Sequence, residues 1–179
     1  MFKWFISAIV IVLLGGSNLY AYQSLQEEYD NASAGAGYDR FIVLDPDIEY
    51  EGDLVISNGD YVGIVGGGAK IYAGSHRSLI SIHASGLDIW ECVLIGGHNA
   101  LNYRENSYGV IWNNTIYNAD SVGIKTYIQR DEPNVEIYNN IISDCFYGIW
   151  SNEYFLPTYI GYNIIYETTY LIYAGYCPG

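Results

Sequence analysis

The sequence predicts an all-β protein, a right-handed parallel β-helix of about five to seven coils with three short strands per coil. Three observations lead to this fold class. Four segments align without gaps, with anchor isoleucines 22, 26 and 23 residues apart, and each repeat carries three strand-like triplets separated by turn residues. The composition, with 20 Tyr and 20 Gly but only 7 Lys and Arg, is typical of many short strands and turns.

The repeat accounts for each strand of a coil in turn. The aligned segments are LDIWECVLI (87–95), GVIWNNTIY (109–117), VEIYNNIIS (135–143) and TYIGYNIIY (158–166), anchored at Ile89, Ile111, Ile137 and Ile160. Each segment supplies a first strand at its anchor and a second strand four to six residues later. A third triplet then follows: ALN (100–102), GIK (123–125), GIW (148–150) and LIY (171–173). Leucine-rich and helical repeats are excluded because neither the leucine pattern nor a 3.6-residue period is present.

The chain divides into three predicted parts. Residues 1–21 read as a secretion signal, with Lys3 before an apolar run that is shorter than the ~18 residues of a membrane-spanning helix. This predicts a secreted, periplasmic or cell-surface protein. Residues 22–38 are expected to form a short N-terminal capping segment, and residues 39–179 the β-helix, cut short at its C-terminus if the sequence is a fragment. The last coil carries no obvious cap, so self-association is expected there.

Charge restricts the partners of the protein. The formal net charge is −13, and removal of residues 1–21 leaves six basic residues against 20 acidic ones. Nucleic acid and anionic membranes are therefore excluded as partners, because both need clustered Lys and Arg. The three cysteines, Cys92, Cys145 and Cys177, cannot all pair within one chain, so disulfides are not the organising principle.

Asparagine recurs at one position of the repeat. In register, Cys92, Asn114, Asn140 and Asn163 fall in one column. Neighbouring coils lie about 4.8 Å apart, so one side-chain amide can donate to the next carbonyl. The pattern predicts a structural ladder through the turn, with Cys92 at its upper end, rather than a ligand site.

Two outward-facing columns are candidates for substrate binding. The residues that follow the anchors are Trp90, Trp112, Tyr138 and then Gly161, and the three aromatic residues would form a flat surface for sugar rings. The alternative is that a loop or the N-terminal segment covers them. The third-strand column contains Lys125, Trp150 and Tyr173, with Arg104 nearby. The longest coil adds Arg130 and Asp131, and together with Lys125 they form the best cluster for a polysaccharide site.

The motifs VxIxNNxI…GIW (135–150) and GVIWNNTI…GIK (109–125), with the lead-in IVLDPDIEYEGDLVIS…VGIVGGG, resemble the right-handed parallel β-helix superfamily. Its members include the pectate-lyase-like folds and the periplasmic copper-site-assembly NosD-type repeats. In lyases of this superfamily a Lys or Arg commonly acts as base toward a uronic-acid sugar, with calcium bridging carboxylates. The resemblance implies such a catalytic role for Lys125, Arg130 and Asp131, although no catalytic motif of the family aligns residue by residue.

No cofactor is required by the sequence, but two acidic patterns could hold Ca²⁺. Asn118, Asp144 and Glu167 align at one turn of successive repeats. Separately, acidic residues alternate between Asp45 and Asp53 and would share one side of an extended strand.

Two functional classes remain open on the sequence. The first is an exported β-helix protein that binds extracellular polysaccharide. If it is also an enzyme, it processes the polysaccharide as a lyase or a glycoside hydrolase-like enzyme. The alternative is a non-catalytic surface module with a structural or adhesive role. The small number of basic residues counts against an anionic polysaccharide unless calcium intervenes.

Overall fold

The computed structural model describes residues 22–74, 77–127, 135–152 and 157–174. The predicted secretion signal and the candidate residues Arg130 and Asp131 lie outside the described residues. Only the backbone of Tyr173 is described. Within the described ranges, no helix has the length and apolar composition needed to cross a bilayer.

Short strands dominate the described chain, and one helix lies between the first strand and the second. The elements are β1 (Gln23–Ser24), α1 (Leu25–Asn31), β2 (Arg40–Val43), β3 (Glu49–Glu51), β4 (Leu54–Ile56), β5 (Tyr61–Val65), β6 (Lys70–Tyr72), β7 (Ile80–Ile82), β8 (Gly86–Trp90), β9 (Val93–Ile95), β10 (Asn99–Tyr103), β11 (Gly109–Trp112), β12 (Thr115–Tyr117), β13 (Val122–Thr126), β14 (Val135–Tyr138), β15 (Ile141–Ser143), β16 (Tyr147–Ser151), β17 (Tyr159–Gly161), β18 (Ile164–Tyr166) and β19 (Tyr170–Ala174).

The strands form three parallel sheets that wind into a solenoid of about six coils. Sheet 1 has the order β2-β5-β8-β11-β14-β17. Sheet 2 has the order β1-β3-β6-β9-β12-β15-β18, and sheet 3 has the order β4-β7-β10-β13-β16-β19. Each coil contributes one strand to each sheet, which confirms the predicted parallel β-helix with three strands per coil.

The register of the sheets follows the sequence repeat. In sheet 1 the anchors Ile89, Ile111, Ile137 and Ile160 pair in sequence from coil to coil. The first three are completely buried, because alternate residues of each strand point into the solenoid. Stacked isoleucines, leucines and valines from all three sheets therefore make one continuous hydrophobic core.

The turn between sheet 1 and sheet 2 uses the left-handed backbone conformation in four successive coils. Glu91, Asn113, Asn139 and Tyr162 occupy it with φ of 56°, 56°, 57° and 57°. Asparagine adopts this conformation more readily than most residues, which explains the first asparagine of each Asn-Asn pair.

Cys92, Asn114, Asn140 and Asn163 form the column next to this turn, and hydrogen bonds join them along the solenoid axis. The backbone N–H and Nδ2 of Asn114 donate to Oδ1 of Asn140 at 3.0 and 3.2 Å. The backbone N–H and Nδ2 of Asn140 both donate to Oδ1 of Asn163 at 3.0 Å. The backbone N–H of Cys92 donates to Oδ1 of Asn114 at 3.0 Å.

The asparagine side chains also bond to backbone carbonyls of the preceding coil and of their own coil. Nδ2 of Asn140 donates to the carbonyl of Ile111 at 2.9 Å and to the carbonyl of Tyr138 at 3.0 Å. Asn140 is only 1% exposed, so without these partners its amide would carry a desolvation penalty. The ladder therefore satisfies buried polar groups and ties each coil to its neighbours.

We expect Asn140→Ala to lower the free energy of unfolding by roughly 3 kcal/mol, because buried backbone groups that bond to the amide lose their partners. Asn139→Gly is the matched control. The exposed Asn139 has a φ of 57°, which glycine adopts without strain, so the change should be within about 0.5 kcal/mol. Urea denaturation measures both values. Equal effects of the two substitutions would contradict a structural ladder.

The N-terminal end of the solenoid is closed by helix α1. Ser24 caps the helix by accepting a hydrogen bond from the backbone N–H of Glu27. Leu25 and Tyr29 are buried and belong to the core, and the helix contacts β2 and β4, the first strands of sheets 1 and 3. Strand β1 starts sheet 2 by pairing with β3.

A polar cluster fastens this helix to the first two coils. Oδ2 of Asp60 accepts hydrogen bonds from the Tyr29 hydroxyl at 2.7 Å and from Nε of Arg40 at 2.8 Å. Nη1 of Arg40 donates to the carbonyl of Tyr29 at 2.8 Å, and the guanidinium lies 4.5 Å from the centre of the Tyr29 ring. The hydrogen bonds from Tyr29 and Arg40 lower the pKa of Asp60.

The Asp60 cluster should make stability depend on pH in the acidic range. The pKa of Asp60 in the folded state is lower than its usual 3.8. Its contribution to the free energy of unfolding is therefore present at neutral pH and is lost as the pH falls through the lowered pKa. At neutral pH we expect Asp60→Asn to cost about 1–2 kcal/mol. Denaturation curves of the two proteins should converge as the pH falls below 3.8. A constant difference at all pH values would contradict this assignment.

Candidate functional site: an aromatic face on sheet 1

The aromatic column of Trp90, Trp112 and Tyr138 runs along the outer side of sheet 1. These residues pair in register on β8, β11 and β14, and each side chain is partly exposed. The ring centres of Trp90 and Trp112 are 4.5 Å apart with an interplanar angle of 11°. The two indoles therefore cover each other's faces and present their edges outward.

The column steps sideways between Trp112 and Tyr138. Their ring centres are 6.4 Å apart at an interplanar angle of 22°. With coils about 4.8 Å apart, this distance corresponds to a lateral offset of about 4 Å. The surface is therefore a stepped ridge instead of the flat surface that the sequence predicts, and Trp112 and Tyr138 are each partly exposed.

Further aromatic residues extend the ridge over all six coils. The rings of Tyr38 and Phe41 lie 6.4 and 6.3 Å from that of Trp90. At the other end, the Tyr159 ring meets the Tyr138 ring edge-on at 6.2 Å. The backbone of Gly161 leaves the room that the Tyr159 ring fills, because a Cβ there would lie 2.2 Å from the Tyr159 hydroxyl.

Two glycines in sheet 1 make space for tyrosine rings on the outer side. A Cβ at Gly63 would lie 2.7 Å from the ring of Tyr38, and a Cβ at Gly86 would lie 2.4–2.5 Å from the rings of Tyr108 and Tyr61. The partly exposed rings on this surface define the aromatic face: Tyr38, Phe41, Tyr61, Trp90, Tyr108, Trp112, Tyr138 and Tyr159. Sequence analysis identifies three of them.

A buried carboxylate holds the centre of the aromatic face. Oδ2 of Asp88 accepts hydrogen bonds from the hydroxyls of Tyr38 at 2.8 Å and Tyr61 at 2.6 Å, and Oδ1 accepts from the backbone N–H of Val110 at 2.8 Å. Asp88 is only 5% exposed. Because three donors surround it, Asp88 fixes two rings of the face.

Burial, followed by the hydrogen bond to Asp88, raises the pKa of Tyr38 to about 12. The same causes raise the pKa of Tyr61. Both phenols are therefore neutral hydrogen-bond donors at physiological pH, which excludes them as bases in catalysis under these conditions.

Lys125 and Trp150 lie on sheet 3 and so on a different side of the solenoid. They pair in register on β13 and β16, and Nζ of Lys125 lies 4.9 Å from the centre of the Trp150 ring. Trp150 is 2% exposed, although its column position predicts an outward aromatic surface. The Lys125 ammonium partly covers it, which leaves little of the indole for contact with a sugar.

Arg104 lies at the turn that follows β10, two residues beyond Asn102, which pairs with Lys125 of the next coil. With His83, Ala84, Glu105 and Asn106 it lines an open cleft of ≈ 260 Å³. Burial and the neighbouring Arg104 charge lower the pKa of His83. Arg104 therefore lies at the end of a sheet 3 strand, in the coil next to that of Lys125.

Asn118, Asp144 and Glu167 do stack in one column, after β12, β15 and β18. All three are exposed and occupy left-handed turn positions, with φ of 61°, 54° and 52°. In the part of the chain that the structure describes, no three His, Cys, Asp or Glu side chains lie close enough together to hold a metal ion. The calcium site at this turn stays a prediction.

The acidic residues between Asp45 and Asp53 do not share one extended strand. Strand β3 contains only Glu49–Glu51, and the backbone N–H of Asp47 donates to Oδ1 of Asp45 within a turn. Glu49 instead accepts a hydrogen bond from the Tyr72 hydroxyl at 3.1 Å and pairs with Lys70 at 3.7 Å.

The fold and its outer face define the class of this chain as a parallel β-solenoid. Comparison with family models, with curated proteins and with solved structures gave no match.

The contact between Asp88 and Tyr38 can be tested by titrating the phenol. We expect Asp88→Asn to lower the pKa of Tyr38 from about 12 toward 10, because the carboxylate charge is lost while burial persists. NMR of ¹³C-labelled tyrosine measures this value at a single residue. Asp144→Asn is the control, since Asp144 is an exposed turn residue. An unchanged Tyr38 titration in the Asp88 variant would contradict the assignment.

Proposed function

We propose that this protein is exported and binds extracellular polysaccharide along the aromatic face of sheet 1. The observation that carries the proposal is the partly exposed ridge of aromatic rings across all six coils, centred on Trp90, Trp112 and Tyr138. Solvated aromatic residues in this number on one face are typical of an interaction surface. The secretion-like sequence of residues 1–21 supports an extracytoplasmic location.

The shape of the ridge favours a long polymer over a small ligand. Its rings are fixed by β-sheet register and, at Tyr38 and Tyr61, by hydrogen bonds to Asp88. A preformed surface loses little conformational entropy on binding. The C–H groups of sugar rings can pack against the partly exposed rings at the step between Trp112 and Tyr138, while tyrosine hydroxyls at the rim bind sugar hydroxyls.

Charge favours a neutral polysaccharide. The chain has a formal net charge of −13, and two of its seven cations, Arg40 and Lys70, are paired with Asp60 and Glu49. An acidic polymer would be repelled unless a cation bridged it. Calcium therefore belongs in the binding assay as a variable.

Polysaccharide processing is not part of this proposal. The ammonium of Lys125 lies over the Trp150 ring on sheet 3, and the aromatic face is on sheet 1. The resemblance to the pectate-lyase-like and NosD-type β-helices is consistent with carbohydrate as the ligand class. It does not supply catalytic residues on the aromatic face.

A second candidate is a non-catalytic structural or adhesive surface module. The face-to-face contact of Trp90 and Trp112 favours it, because rings that cover each other stabilise the solenoid whether or not a ligand binds. In this case the aromatic column acts like the asparagine ladder, as an internal fastening between coils.

A glycan array with and without calcium, followed by calorimetry on the best ligand, distinguishes the two candidates. We expect binding to a neutral polysaccharide, and a loss of at least tenfold in affinity for Trp112→Ala. Tyr127→Ala is the matched control, because Tyr127 is an exposed aromatic residue that follows sheet 3. It should leave affinity unchanged.

The absence of binding to any glycan would contradict the proposal and leave the surface module. An equal loss of affinity in Trp112→Ala and Tyr127→Ala would mean that the binding surface lies outside the aromatic face. A denaturation curve of Trp112→Ala is needed beside the binding data. A loss of affinity counts only while the variant remains folded at the assay temperature.

A further inference from the structure

The two ends of the solenoid differ in how far their inward-facing core residues are exposed. At the N-terminal end, the inward residues Ile42 and Leu54 of the first coil are 3% and 0% exposed, because α1 covers them. At the C-terminal end, Ile172 of the last coil is 51% exposed, whereas Ile149, its partner one coil earlier, is fully buried.

The same exposure recurs in the other two sheets. Ile160 and Ile165 are partly exposed, whereas their partners Ile137 and Ile142 are fully buried. Among the described residues, strands β17, β18 and β19 are each the last strand of their sheet, so each presents one edge on which no described strand lies. The last coil therefore exposes an apolar surface surrounded by three strand edges.

This surface is almost free of charge. Among residues 157–174, Glu167 is the only charged residue, although the whole chain carries a net charge of −13. Aromatic and aliphatic side chains dominate, and Tyr162 is 82% exposed. Tyrosine with few charges is the composition of a protein–protein interface core. A second copy of the chain can approach this end without the repulsion that its other surfaces would impose.

We propose that two copies of this chain associate end to end through their C-terminal coils. The closed N-terminal end decides the geometry. Because α1 and β1 occupy that end, the open coil of one copy cannot add to the N-terminal end of another, and a head-to-tail filament is blocked. Because the described residues leave one open end per copy, association through it stops at a two-fold dimer.

A two-fold axis perpendicular to the solenoid axis places the strand edges of the two copies antiparallel. Backbone hydrogen bonding can then continue across the junction, as in other edge-to-edge pairings. At the same time Ile160, Ile165 and Ile172 of each copy become buried against their counterparts. The dimer would thus give the last coil the environment that each inner coil has.

Sedimentation equilibrium of the purified chain across the micromolar range tests the proposal. We expect a reversible dimer of roughly twice the 20.1 kDa chain mass, with no larger species. Ile172→Lys should weaken dimerisation at least tenfold. Val55→Lys is the matched control, because Val55 is also in a strand, is 46% exposed and lies on the first coil. It should dimerise like the wild type.

Two further measurements distinguish loss of the dimer contact from local unfolding of the last coil in the Ile172→Lys variant. Tyr162→Glu changes an exposed turn residue and should weaken the dimer to a similar degree while the strands stay formed. Hydrogen exchange of the amides of β17, β18 and β19 should slow as protein concentration rises. A monomer at all concentrations, open-ended assemblies, or a dimer insensitive to both Ile172→Lys and Tyr162→Glu would overturn the proposal.

Discussion

The buried asparagines of the ladder, Asn114 and Asn140, depend on the coils on either side of them. The amide of Asn140 donates to the carbonyl of Ile111 in the coil before it and to Oδ1 of Asn163 in the coil after it. A shift of one residue in any coil would break these bonds and would turn the inward isoleucines outward. The ladder and the core therefore fix the same register, and each outer column is aligned as a consequence.

The aromatic face is one such consequence. Trp90 and Trp112 meet at 4.5 Å because their strands pair in register. The first coils are less regular, and other contacts complete the aromatic face there. Glycines leave space for tyrosine rings, and Asp88 accepts hydrogen bonds from Tyr38 and Tyr61. The proposed binding surface and a stable solenoid are thus built from the same contacts. The repeat also explains why the last described coil exposes more of its core than the inner coils, each of which lies between two neighbouring coils.

The sequence predicts the parts of the structure that repeat. The spacing of the anchor isoleucines is enough to predict the three sheets and their register, because equivalent residues of successive coils occupy equivalent environments. The spacing does not predict the position of Tyr38. This residue precedes the first strand of sheet 1, and its ring lies over Gly63 on the aromatic face. A glycine at an outward position beside aromatic residues was the available signal. The burial of Trp150 under Lys125 is also a pairwise contact between coils that alternation alone does not show.

We propose that the register of sheet 1 creates the surface that binds polysaccharide. A ¹⁵N-tryptophan NMR titration of the folded protein with the preferred glycan tests this directly. We expect shifts of the Trp90 and Trp112 indole signals, while the buried indole of Trp150 on sheet 3 stays unchanged. Shifts confined to Trp150, or none in any indole at saturating glycan, would contradict it.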